Sequence, residues 1–154
     1  VLQQGILWMD TPLGVLRLEQ AGDSLCRVEF CTGADAPARP TPLLWEAQRQ
    51  LEEYFACRRQ VFDLPLAGQG TAFQQQVWAE LLQIPYGQVC SYGQLAARLG
   101  RPGAARAVGG ACHCNPLAIL VPCHRVVGAN GRLTGYAGGL ELKQRLLALE
   151  GAVL

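Results

Sequence analysis

Ser91-Tyr92-Gly93-Gln94-Leu95-Ala96-Ala97-Arg98-Leu99-Gly100-Arg101-Pro102-Gly103-Ala104-Ala105-Arg106-Ala107-Val108-Gly109-Gly110-Ala111 is the stretch whose reading decides the fold. Ser91 and Gln94 have capping-box spacing, in which each side chain accepts the other residue's backbone N–H and so starts a helix. Leu95, Ala96 and Leu99 give that helix a short apolar face. Gly100-Arg101-Pro102-Gly103 ends it, because proline lacks the N–H and disfavours helical geometry in the residue before it. A second helix runs from about Ala104 to Ala111. Two short helices on a tight glycine-containing turn are the helix-turn-helix pattern. The second helix carries one long side chain, Arg106, among small ones. Its two glycines cost helix stability, about 1 kcal/mol each against alanine, so a close approach to another surface is implied. Packing against a neighbouring helix is the commoner use of such a face. A narrow groove that receives one arginine beside a displaced base is the alternative.

Working outward, Thr71 and Gln74 form another capping box, ahead of the apolar face Phe73, Val77, Leu81. Pro85-Tyr86-Gly87 reads as a turn. A last helix covers Glu141 to Leu149, with Leu142, Leu146 and Leu149 on one side and Gly151 as its stop. Between these helices lies Leu120-Val121-Pro122-Cys123-His124-Arg125-Val126-Val127, which sets a thiol beside an imidazole. A thiol attacks as its thiolate, and a nearby imidazole lowers its pKa. Adjacent side chains of an extended segment point to opposite faces, so a turn, or a water between the two groups, is required. Glu150 sits where a helix dipole is negative, an unfavourable place for a carboxylate. Orienting His124 would explain it, as in a nucleophile–base–orienter relay. Asn115-Pro116 is a turn signal, and its asparagine is placed to brace the turn that carries the cysteine. Tyr92, in the first turn of its helix, can present a hydroxyl to a ligand. Each residue also has an ordinary reading: a buried thiol beside a hydrogen-bonded histidine, a solvated glutamate, an asparagine bonding its own backbone, a tyrosine in the core.

The amino-terminal part reads differently. Ile6, Trp8, Val15, Leu16 and Leu18 flank the turn Thr11-Pro12-Leu13-Gly14, and Leu25 to Phe30 follows Ala21-Gly22-Asp23, giving an antiparallel meander. Gly33, Pro37, Pro40 and Pro42 mark a loop. Leu44, Gln48, Leu51 and Phe55 share a helical face, and Val61 to Leu66 reads as a short strand. Ala67-Gly68-Gln69-Gly70 is the linker, so the domains are 1–67 and 68–154. Residues 1–67 hold six basic against nine acidic side chains, and residues 68–154 hold seven against three. The basic second half is compatible with nucleic acid without proving it. No apolar run reaches the roughly 20 residues of a membrane span. The seven scattered cysteines and the absence of an export leader read as reduced thiols in the cytoplasm. Cys112-His113-Cys114 and Cys123-His124 do not match zinc-site spacing, so no metal is expected.

Pro122-Cys123-His124-Arg125-Val126-Val127 resembles the active-site signature of the O6-alkylguanine-DNA alkyltransferases. The surrounding order agrees: Ser91-Tyr92, Ala105 to Ala111, Asn115-Pro116, Gly135-Tyr136-Ala137-Gly138-Gly139, then Lys143 through Gly151. The resemblance spans nearly all of residues 71–151 and is closest to the bacterial constitutive type. It implies an α/β amino-terminal domain with a small antiparallel sheet, and a mainly α carboxy-terminal domain with a winged-helix-like helix-turn-helix. It implies a single-turnover DNA-repair transferase in which Cys123 irreversibly takes the alkyl group from O6-alkylguanine, and from O4-alkylthymine, after the base is flipped. His124 and Glu150 would activate the thiol through a water, and Asn115 would hold the turn. Tyr92 would aid flipping and supply a proton to the guanine. Arg106 would fill the gap in the duplex, with Tyr92, Gly93, Arg101 and Ala105 also on the DNA. Tyr136, Ala137, Gly138 and Val126 would shape the alkyl pocket. The implied partner is double-stranded DNA, bound through its minor groove by a monomer without a cofactor. Two readings remain beside this one: a lesion-binding module with an inert thiol, and a cysteine hydrolase, for which no oxyanion-hole motif is visible. Cys112-His113-Cys114 departs from the family's usual residues before Asn-Pro, and Ala137 stands where some members carry serine.

Overall fold

The computed structural model describes residues 4–152. They form two compact units. One is the chain through Gln69 together with Pro116–Leu120, and the other is Gly70–Asn115 together with the chain from Val121.

The first unit is built on an antiparallel meander of β1 (Gln4–Thr11), β2 (Gly14–Ala21) and β3 (Ser24–Cys31). Leu7 pairs with Leu18, and Leu18 with Val28. Strict alternation would not place both Leu25 and Val28 inward, since they are three residues apart. A register shift at Glu19/Gln20 resolves this: Leu25 pairs with Gln20 and Arg27 with Glu19, leaving Cys26 as the extra residue of a bulge. Both side chains are then buried.

Helix α1 (Pro42–Phe55) begins at Thr41, whose hydroxyl accepts the Leu44 N–H, with Pro42 in the first turn where its missing N–H costs nothing. Its buried face is Leu44, Ala47, Leu51 and Tyr54. The face expected from sequence is thus turned slightly, and Gln48 and Phe55 lie at its margin, only half-buried. The reason is Gln50, a polar residue that is buried yet satisfied. Its amide donates to Asp63 O at 3.1 Å and accepts from Asp63 N at 2.9 Å. That pair also shapes Val61 to Leu66, which is not a strand. Leu66 makes only an isolated bridge to Leu25, with Leu25 N donating to Pro65 O and Ala67 N to Leu25 O. Pro65 has no N–H with which to extend a ladder. On β3, Val28 N donates to Pro116 O and Ala118 N to Val28 O, so residues 116–120 belong to this unit.

The second unit is mainly helical: α2 (Ala72–Leu81), α3 (Tyr92–Arg98), α4 (Ala105–His113) and α5 (Leu140–Leu149). Both capping boxes form, Thr71 with Gln74 and Ser91 with Gln94. Gly100, at φ 74°, turns the chain out of α3. Trp78 Nε1 donates to Ala111 O at 2.9 Å and fastens α2 to α4. Two short parallel strands, β4 (Cys90–Ser91) and β5 (Val126–Val127), pair Cys90 with Val126. Leu142 and Leu149 are only half-buried on α5, and its inward side chains are Lys143, Leu146 and Leu147. No helix of the described residues is long and apolar enough to cross a membrane.

Candidate active site and nucleic-acid interface

Cys123 opens a single 3-10 turn, Cys123–Arg125, inside a buried run. Two tight turns lead into it. Leu120 N donates to Ala118 O at 2.7 Å around Ile119, whose φ is 69°. Cys123 N donates to Val121 O at 2.8 Å around Pro122, at φ −82° and ψ 63°. The second is an inverse γ-turn, which the proline ring favours. The first places a β-branched side chain at positive φ, a strained conformation held by its surroundings.

Asn115 braces this turn from the end of α4. Its Nδ2 donates to Val121 O at 2.8 Å and to Cys123 Sγ at 3.2 Å. The thiol is only 7% exposed. Burial raises its pKa, and the Asn115 hydrogen bond and the Lys143 charge oppose that rise. Cys123 is thus a thiol awaiting a base.

His124 is fully buried. Its Nε2 faces Glu150 Oε2 at 2.7 Å, while Nδ1 has no hydrogen-bond partner among the described residues. Burial lowers its pKa despite the carboxylate, so the ring is neutral near pH 7. With Nε2–H donating to Glu150, Nδ1 carries the free lone pair of a base. Glu150 caps the C-terminus of α5 and is held on every side. Arg125 Nε donates to Oε1 at 2.8 Å, Arg125 Nη2 to Oε2 at 3.0 Å, and Gly87 N to Oε1 at 3.3 Å. The guanidinium is satisfied further by Ile84 O at 2.7 Å and lies 5.8 Å from the Tyr86 ring centre. Those donors outweigh the unfavourable helix end.

Tyr136 has a buried hydroxyl with no hydrogen-bond partner among the described residues. Its pKa is raised well above the usual phenol value, by burial first and then by the charge of a Cys123 thiolate. Ala137 and Gly138 are exposed beside it. A Cβ at Gly138 would lie 2.5 Å from the Leu142 side chain and 3.2 Å from the Tyr136 ring, so only glycine fits there. Val126 is a fully buried β5 residue.

An open groove of about 590 Å³ is lined by Ser91, Tyr92, Gly93, Ala105, Arg106, Gly109 and Ala129. Four of the residues expected on DNA, Tyr92, Gly93, Ala105 and Arg106, thus share one concave surface. Arg106 is exposed in the first turn of α4. Gly109 would meet the Tyr92 ring only at an ordinary 3.7 Å, and Gly110 faces open space. Helix packing therefore does not require the α4 glycines. Arg101 lies outside this groove and stacks on Phe73, 5.3 Å from the ring centre. Cys123 does not line the groove either. Tyr92 links the two, because burial raises its pKa and the Cys112 and Cys123 charges add to that rise.

Two charged residues of the site escaped sequence reasoning: Arg125, two positions past the thiol, and Lys143. Both are buried. A charge inside an apolar run demands a partner, and that was the available signal for Arg125. Cys112 is buried too, and burial pushes its thiol up to about 12. His113 and Cys114 are exposed at the end of α4. No group of three or more His, Cys, Asp or Glu side chains among the described residues is placed to hold a metal ion.

Residues 7–67 match the 6-O-methylguanine DNA methyltransferase ribonuclease-like domain, and residues 72–152 match the DNA binding domain of the same family. The chain is 47% identical over 149 residues to the methylated-DNA–protein-cysteine methyltransferase of Methanosarcina acetivorans, covering 93% of this chain and 96% of the relative. It is 46% identical over 151 residues to the constitutive methylated-DNA–protein-cysteine methyltransferase of Bacillus subtilis, covering 92% of each. The crystal structure of Mycobacterium tuberculosis O6-methylguanine methyltransferase superposes with a TM-score of 0.87 at 45% identity, over 97% of this chain and 93% of that one. The M. tuberculosis protein in complex with DNA gives 0.86 at 47% identity, over 94% and 91%. With both domains matched in order and nearly half of the residues identical, the chain belongs to the 6-O-methylguanine DNA methyltransferase family.

Proposed function

We propose that this protein repairs DNA by moving the alkyl group of O6-alkylguanine onto Cys123, once per molecule. The observation that carries the reading is one constellation: Asn115 on the sulfur, and a neutral His124 held by Glu150, with Nδ1 unpartnered. The thiol proton passes to His124 through a water, and Glu150 stabilises the imidazolium. Cys123 Sγ attacks the alkyl carbon. The new S–C bond forms as the C–O6 bond breaks, and the bonding pair leaves on guanine, which takes a proton or hydrogen bond from Tyr92. Attack at a saturated carbon needs no oxyanion hole. A thioether is a poor leaving group, so Cys123 is not regenerated.

The groove supports the DNA half of the reading. Its floor is smooth, Arg106 projects from it, and the buried thiol requires the base to leave the duplex. Arg106 fills the vacated stack, entering from the minor groove. Tyr136, Ala137 and Gly138 close over the alkyl group, and O4-alkylthymine offers the same O-alkyl bond. Val126 supports the pocket from its core position beneath, and Arg101 sits on the phosphate backbone. Residues 68–154 hold every group of the reaction, and a monomer suffices for it.

The thiol's burial also suits a lesion-binding module that never reacts. Incubation with duplex DNA carrying O6-methylguanine separates the two readings. Transfer should stop at one methyl per protein molecule and vanish in Cys123→Ser. Tight binding with no transfer would leave only the module.

A further inference from the structure

α5 carries two buried ionic groups on one face. Lys143 and Glu150 lie seven residues apart, close to two full turns of helix. Glu150 belongs to the His124 relay, and Lys143 has so far been given no part. Yet Lys143 is 0% exposed, with an ionisable head on a long chain that ordinarily reaches water. Its Nζ donates to Thr134 O at 2.7 Å and lies 3.5 Å from Gly135 O. It also sits 5.7 Å from the centre of the Tyr92 ring. An ammonium kept from water persists where carbonyls and an aromatic face replace the solvent.

We propose that Lys143 is a positioning residue for the alkyl transfer. Its ammonium clamps the Thr134–Gly135 backbone, fixes Tyr136 in the closing loop, and presents a positive charge to the sulfur as it becomes a thiolate. The clamp is the geometric part. Thr134 and Gly135 lead directly into Tyr136, and the turn beyond has to pass the tight Gly138 contact. The charge is the electrostatic part. Around Cys123 stand Cys112, Tyr92, Tyr136 and Lys143, and on the relay side His124, Arg125 and Glu150. Lys143 is the charged side chain that pulls the thiol down, while burial and a charged Cys112 push the neighbouring groups up. The interaction is mutual: burial lowers the Lys143 pKa, and thiolate charge on Cys123 and Cys112 raises it again. The inference rests on Cys123 being the acceptor.

The test compares wild type, Lys143→Met and Lys143→Gln for methyl transfer from O6-methylguanine duplex across pH, with hydrogen exchange of residues 132–139. In Lys143→Met, transfer should fall on the order of 100-fold and loop exchange should quicken at least about tenfold. The alkaline rise in rate should move up by about one pH unit, as expected for losing one nearby opposite charge. Lys143→Gln keeps a donor for Thr134 O without the charge. Its loop should stay protected while the alkaline rise still moves. A folded Lys143→Met with wild-type rate, pH profile and loop protection overturns the proposal. So does an unmoved alkaline rise in Lys143→Gln, even if Lys143→Met does not fold. A wild-type protein that gains no methyl on Cys123 overturns the acceptor assignment instead.

Discussion

At the scale of the residue, the site rests on a few hydrogen bonds whose loss has a calculable size. Asn115→Ala strips a donor from Val121 O and from the sulfur together. Leaving one such group unsatisfied costs about 1–3 kcal/mol. Denaturant unfolding should read that loss, and transfer should slow more than stability alone explains. Glu150→Gln leaves Arg125 buried without its carboxylate, which costs about 3–5 kcal/mol. His124 adds a pH dependence. Its pKa is depressed in the fold by burial, so the unfolded chain takes up the proton first. The stability due to its neutral form is therefore complete above the unfolded value, roughly 6.5, and is lost as pH falls below it. Unfolding at pH 5.5 and 7.5 should differ less in His124→Gln than in wild type. Motif spacing made the thiol, its asparagine and its glutamate readable together, because each breaks a local rule. Arg125 and Lys143 break none in sequence. Burial alone makes them conspicuous, and burial is set by distant packing.

At the scale of the element, the local signals were strong where they were chemical. Thr71 with Gln74 and Ser91 with Gln94 both close as capping boxes. Ser91→Ala should cost about 1 kcal/mol and should also unsettle Tyr92, the first residue of α3. Apolar periodicity was a weaker guide. The α1 face is turned because buried Gln50 finds Asp63, and Val61 to Leu66 fails as a strand because of Pro65 and that same pair. The α4 glycines separate two uses of a smooth helix. Gly110 faces open space at a helical φ, so Gly110→Ala should raise stability by up to about 1 kcal/mol. If α4 lies against DNA, the same change should weaken duplex binding at least severalfold. A variant that gains stability and binds duplex as wild type does would remove α4 from the interface.

For the whole molecule, a two-part chain with a meander first and a helix-turn-helix second was legible from turn residues, caps and the change of charge sign. The return of Pro116–Leu120 to β3 was not, because one pairing to a distant strand leaves no local pattern. That return fixes the chain immediately ahead of the two tight turns that deliver Cys123. The excess of basic side chains in residues 68–154 should make DNA binding salt-dependent, and Arg101→Ala should reduce the slope of log K against log salt by about 1. Arg106→Ala should lose most transfer from duplex while still reacting with the free alkylated base, since its role is to hold the stack open. The account stands or falls on where the alkyl group ends. After one equivalent of O6-methylguanine duplex, peptide mass mapping should find one methyl on the peptide bearing Cys123, with Cys90, Cys112 and Cys114 unchanged. A methyl on another cysteine, or an unaltered Cys123 beside repaired DNA, would contradict it.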